Sequence, residues 1–246
     1  MKALLLIPFL IASLCGQQKK APPKLLRIIP LGEEPELKQL PVGPDGIIPL
    51  QAPPPGSVLP MPLALRTGEV QIPLQLALFN HTKPLAIPAE VKEFDLRKTK
   101  PDMSWLTRKA PSVPLSLGVL YRNSRTMSWN NPELLLLRDD ATALPAGRIR
   151  FINTSNTMVL YRIGTRKQLT TYGVGPGKVS SKLLKPGGDQ IWIGYKDATG
   201  KIVDYPLSIK VALEKDERAQ FFFYKPQAKE PRKPFLIYKK IEKTPK

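Results

Sequence analysis

Cysteine and histidine are almost missing from this chain of 246 residues, with Cys15 and His81 the only example of each. A single thiol cannot form an internal disulfide, so stability must come from packing. Transition-metal sites are usually built from Cys/His clusters, and Ser/His/Asp or Cys/His nucleophiles need an imidazole base. All of those chemistries would rest on His81, which falls in the turn-like stretch Asn80-His81-Thr82-Lys83 and reads as a surface residue. No cofactor and no metal are expected, and no catalytic residue is assigned. Acidic residues are also scarce, 20 Asp plus Glu against 38 Lys plus Arg, for a net charge of +18. Their adjacent pairs, Glu33-Glu34, Asp139-Asp140 and Asp216-Glu217, stand among Gly, Pro and charged residues and read as solvated turns. None offers the alternating oxygen ligands around a glycine that a calcium loop requires. GVGPGK at Gly173 to Lys178 is not a phosphate loop, because Tyr172 stands where the first glycine is needed and Val179 where Ser or Thr is. No window carries a sustained helical stripe of apolar residues with caps, which argues against a helical fold.

What is present begins with MKALLLIPFLIASLCG. Lys2 supplies a positive start, Ala3 to Leu14 an apolar run, and Ser13 and Cys15 the small residues expected before a cut, so residues 1–16 read as an export signal cleaved at Cys15 or Gly16. A spanning helix needs about twenty apolar residues, and Gln17-Gln18-Lys19-Lys20 ends the run sooner. The expected location is secreted or periplasmic. The alternative is lipidation of Cys15, with the protein anchored to the cell envelope. In that pattern Leu normally stands three residues before the Cys and Gly, Ala or Ser immediately before it, whereas Ala12 and Leu14 occupy those places here. Membrane association is expected only under that alternative.

Residues 17–59 are rich in proline, including the triplet Pro53-Pro54-Pro55, and proline both fixes φ and removes a backbone donor. This stretch can supply extended or edge strands but no helix, and it reads as an extended, partly docked arm, with a flexible spacer as the alternative. Beyond it, short apolar or alternating runs recur between turn residues: Pro62 to Arg66, Ile72 to Asn80, Val113 to Tyr121, Leu134 to Leu137, Arg148 to Phe151, Met158 to Ile163, Gln190 to Tyr195 and Arg218 to Tyr224. Short strands at such spacing predict a sandwich or barrel. LALFNHTKPLAI at Leu76 to Ile87 is similar to IRFINTSNTMVL at Ile149 to Leu160, and Tyr121 follows Asn80 at nearly the distance that Tyr195 follows Asn153. The expectation is therefore an all-β chain with two similar sandwich-like units in tandem after the arm, a first unit at 60–144 and a second at 145–246 that ends in a basic tail.

The stretch RIRFIN…VLYRIG…PGGDQIWIGYKD…RAQFFFYK resembles exported bacterial β-sandwich domains of unknown function, over about a third of the chain. The resemblance implies a fold and brings no catalytic residue with it. Binding features remain. Basic residues concentrate in Lys92 to Lys109, Arg162 to Lys167 and Lys225 to Lys246, and aromatics beside cations can stack on rings and engage anionic groups. Trp192, in an alternating strand, reads as core, and Trp105 and Trp129 as the exposed platforms. In an exported protein the positive charge points to an anionic polysaccharide, a cell-wall polymer or an envelope protein, and no nucleic acid is expected. The leading expectation is a non-enzymatic envelope or surface interaction module. Two alternatives stay open: a glycan- or cell-wall-acting hydrolase using loop carboxylates, and a structural component of an envelope assembly.

Overall fold

The computed structural model describes residues 21–245 apart from 38, 42–45, 47, 49, 124, 166–167, 198 and 228–233, and apart from the side chains of 165, 168 and 204–207. The cleavage and lipidation candidates Cys15 and Gly16 lie outside the described residues. The fold is all-β and sandwich-like, and no helix occurs among the described residues. The first eight strands are β1 (Lys24–Leu31), β2 (Leu63–Thr67), β3 (Val70–Leu74), β4 (Leu85–Ile87), β5 (Glu93–Thr99), β6 (Asp102–Lys109), β7 (Leu115–Arg122) and β8 (Pro132–Arg138). The next eight are β9 (Arg148–Asn153), β10 (Val159–Thr165), β11 (Gln168–Val174), β12 (Val179–Leu183), β13 (Asp189–Lys196), β14 (Ile202–Val211), β15 (Glu217–Tyr224) and β16 (Leu236–Lys243).

They form four sheets of four strands, ordered β3-β2-β5-β6, β4-β1-β7-β8, β12-β9-β15-β16 and β11-β10-β13-β14. Successive side chains of a strand point to opposite faces, so the apolar residues sort into three layers between the four sheets. Leu26 and Ile28 of β1 meet Leu65, Phe94 and Leu96 in the first layer. Ile149, Phe151, Phe221 and Phe223 meet Val159, Tyr161, Ile191 and Ile193 in the third. The middle layer joins the two halves of the chain, with Ile29, Leu31, Leu117 and Val119 packed against Ile152, Phe222 and Tyr224. The two inner sheets are thus covered on both faces. That is the physical reason for the unbroken apolar runs Ile28-Ile29-Pro30-Leu31 and Phe221-Phe222-Phe223, where a half-exposed strand would alternate.

The proline-rich span read as a partly docked arm contains β1, which is not the edge strand that proline content suggests. β1 is an interior strand, antiparallel to β4 and parallel to β7 from Leu25↔Leu115 to Leu31↔Tyr121. Burying Leu26, Ile28, Ile29 and Leu31, each at most 1% exposed, offsets the proline content around them. The same pairing scheme returns in the second half. β9 lies between antiparallel β12 and parallel β15, and β10 between β11 and β13 as β2 lies between β3 and β5. Even the register irregularity of β5–β6 at Leu96/Arg97 has a counterpart in β13–β14 at Trp192/Gly194. Strand pairing therefore matches β1 with β9. The motif comparison joins different elements, since Asn80 follows β3 while Asn153 ends β9, and Tyr121 lies on β7 while Tyr195 lies on β13. Its similarity reflects shared strand-and-turn chemistry.

Candidate functional site

The three tryptophans are placed opposite to the sequence expectation. Trp105 and Trp129 are 8% and 1% exposed, and the Trp105 Nε1–H donates to the Trp129 carbonyl inside the first core. Trp192 is half-buried on the outward face of the β11-β10-β13-β14 sheet. Alternation along β13 explains this: Ile191 and Ile193 fill the core at 0% exposure, so the residue between them must point out. The flanking polar sequence of Trp105 and Trp129 hid the burial of large rings behind it.

Strand register builds a row across that outer face, Thr171–Arg162–Trp192–Ser208, with a neighbouring row Gly164–Gln190–Lys210. Gly164 carries no side chain to cover the indole, and a cavity of about 660 Å³ opens beside it. Lys185, Asp189, Gln190, Trp192, Ser208 and Lys210 line this cavity. Gln190 Nε2 donates to the Ser208 hydroxyl, fixing two polar groups next to the ring. Asp189 is turned inward and accepts the Lys185 backbone N–H at 2.8 Å, with 6% exposure. Two lysines and Arg162 therefore flank an accessible aromatic, with one carboxylate among the described lining residues and that one engaged with the backbone. The β13 irregularity at Trp192/Gly194 is of the kind that re-aims a side chain.

The equivalent face of the β3-β2-β5-β6 sheet is neutralised. Arg97 pairs with Asp95 and Asp102 at 2.9 Å each, and Ser104 donates to Asp95 at 2.6 Å. It presents compensated charge and no tryptophan on that pairing.

Of the three carboxylate pairs read as solvated turns, Asp139-Asp140 is the one that departs from that expectation. Asp139 is fully buried where the two halves meet, accepting from Arg27 and lying 3.2 Å from Arg150 and 3.0 Å from Arg218, while Asp140 pairs at the surface with Arg138 at 2.5 Å. Glu242 completes the cluster, 2.6 Å from Arg218 and 3.3 Å from Arg27, and Gln220 Nε2 donates to it at 2.8 Å. Burial opposes ionisation of Glu242, but attraction to Arg27 and Arg218 outweighs it and holds the carboxyl at about 2. His81 is also corrected: its side chain is 8% exposed, with Nδ1 3.5 Å from Glu242. Burial first, then the charge of Lys240, lowers its pKa to about 4, so the attraction of Glu242 loses and the imidazole is neutral at pH 7. Arg27 comes from β1, Asp139 directly follows β8, Arg150 lies on β9, Arg218 and Gln220 on β15 and Glu242 on β16, with His81 from the β3–β4 connection, and together they lock the halves.

Glu33, Glu34 and Glu36 line a separate cavity of about 270 Å³. Glu34 and Glu36 are exposed, and Glu33 Oε2 accepts the Gln227 N–H at 2.7 Å. Asp216 pairs with Lys243 at 3.2 Å across an exposed strand end. Among the described residues no group of three or more His, Cys, Asp or Glu could hold a metal ion, and no helix is long and apolar enough to cross a membrane.

Asn153 explains why the NTSN stretch turns. Its Oδ1 accepts from the Ser155 N–H at 3.0 Å and the Ser155 hydroxyl at 2.7 Å, while Nδ2 donates to the carbonyls of Thr157 and Val174 at 2.8 Å. The residue is 0% exposed, so its amide is committed to holding the turn. Gly173 and Val174 end β11 and residues 175–178 connect it to β12, with Gly177 at φ 67°. No family model and no curated protein matches this chain.

Proposed function

We propose that this protein is an exported, non-enzymatic interaction module of the cell envelope or surface that binds an anionic polymer through the outer face around Trp192. The observation that carries the reading is the accessible indole flanked by Arg162, Lys185 and Lys210, on a chain of net charge +18. An aromatic face supplies stacking area for a sugar ring, and the cations supply attraction to its acidic substituents. Residues 1–16 support export, and the resemblance to exported bacterial β-sandwich domains supports the same compartment.

The test is binding to heparin and to a phosphorylated cell-wall polymer at about 0.1 M and about 1 M NaCl, where the screening length falls from about 10 Å to about 3 Å. Binding is expected to weaken steeply with salt. Trp192→Ala should lower affinity on the order of tenfold, equivalent to ~1.4 kcal/mol. Lys210→Glu should lower it further, and Arg66→Glu on the β3-β2-β5-β6 sheet should have no comparable effect. Salt-independent binding, or equal losses for Arg66→Glu and Lys210→Glu, would sink the proposal.

A further inference from the structure

A second concavity has the opposite character. A cavity of about 680 Å³ is lined by Val58, Leu59, Met61, Leu76, Leu78 and Trp129 among others, and it shares Glu33, Glu34 and Pro35 with the cavity of about 270 Å³ that Glu36, Gln51 and Gln227 line. The two are contiguous through those shared residues and make one groove, apolar at one end and acidic at the other. Its apolar end is exposed to solvent, with Leu37 at 60%, Met61 at 55% and Val58 at 50%. Trp129, which lines it, is 1% exposed and its indole N–H has no partner. Arg122 lies over the Trp129 ring at 5.6 Å and donates to the Glu33 carbonyl at 2.6 Å, and its Nη1 is likewise buried without a partner. Both donors are out of solvent contact beneath the groove, so what it presents to a ligand is its apolar wall and its carboxylates.

We infer that this groove binds an extended peptide of a partner protein, apolar in one half and basic in the other. The shape follows from the two joined cavities, and the polarity from charge complementarity. Glu33, Glu34 and Glu36 form an acidic rim on a chain of net charge +18, so the groove repels the anionic polymer assigned to the Trp192 face. Phe79, at φ 64°, is a bulky residue in the left-handed region at the groove wall, held there by its N–H donating to the Pro30 carbonyl and by the Tyr238 hydroxyl donating to the Phe79 carbonyl. A wall fixed in this way costs less to order when the peptide arrives.

The experiment uses two rhodamine-labelled hexapeptides, LPLKPK and LPLEPE, titrated with the protein and read by fluorescence anisotropy. LPLKPK is expected to bind at least tenfold tighter than LPLEPE. Glu34→Lys combined with Glu36→Lys, both exposed positions, should erase or reverse that preference, and Met61→Ser should weaken LPLKPK binding at least threefold. Unchanged thermal midpoints confirm that the variants fold. Trp192→Ala should leave peptide binding intact, which separates this site from the polymer face. The inference is overturned by equal affinity for the two peptides, by no binding up to about 1 mM, or by a charge-reversed rim without effect. Preferential binding of zwitterionic lipid vesicles with the same dependence on Met61 would also overturn it.

Discussion

Asp139 gives the most demanding test of how the two halves are held. Its carboxylate is 0% exposed and faces three guanidinium groups, those of Arg27, Arg150 and Arg218, of which Arg218 is also 0% exposed. Asp139→Asn keeps the shape and removes the charge, leaving the buried Arg150 and Arg218 and the half-buried Arg27 with Glu242 as the remaining anion of the cluster. Breaking one side of a buried ion pair typically costs about 3–5 kcal/mol, because the stranded partner keeps its desolvation penalty. Against the roughly 5–15 kcal/mol that stabilises ordinary folded domains, this is a large fraction. For a chain of this size the midpoint should drop on the order of 10 °C. Asp140→Asn is the matched control: its pair with Arg138 has side chains 22% and 50% exposed, and such surface pairs contribute about 1 kcal/mol or less. Urea denaturation followed by tryptophan fluorescence measures both. A loss below about 1 kcal/mol for Asp139→Asn, or one equal to that of Asp140→Asn, would refute the reasoning.

The same cluster makes the fold acid-sensitive in two windows. Glu242 is depressed from 4.5 to about 2, so its stabilisation is full above pH 4.5 and is lost as pH falls toward 2, about 3 kcal/mol in total. His81 is depressed from 6.5 to about 4, so the unfolded chain takes the proton first and stability declines from pH 6.5 toward 4 by a similar amount. His81→Gln should flatten the upper window and spare the lower, as read from urea midpoints at pH 7, 5 and 3; a slope between pH 6.5 and 4 that is unchanged contradicts the assignment. In the middle apolar layer, Phe222 is 0% exposed and stacks on Tyr238 with ring centroids 5.9 Å apart. Phe222→Ala should cost about 3–5 kcal/mol in the same assay, and a cost under about 1 kcal/mol would mean that the two inner sheets do not pack as described.

Turn residues at short spacing and the missing helical stripe determine an all-β chain, and the outline of β7, β9, β13 and β15 is legible in apolar alternation or continuity. β5 and β6 escaped notice because Lys92 to Lys109 is charged: one face of that hairpin is covered by a core while the other carries the Asp95–Arg97–Asp102 ion pairs. Period-two alternation separates the two faces of a strand. It does not tell which face another sheet will cover, so Trp192 and Trp129 exchanged their expected roles. Nor does composition reveal that a proline-rich stretch supplies β1, because its stabilisation comes from β7, some ninety positions downstream. The charge cluster is the clearest case. Arg27, Asp139, Arg150, Arg218 and Glu242 are ordinary surface residue types spread along the chain, and their meeting depends on the register of five strands at once. The sequence alone determined what kind of layers this protein can build. Only the stacking of those layers decided which charges are buried, which tryptophan faces solvent and where a ligand can be met.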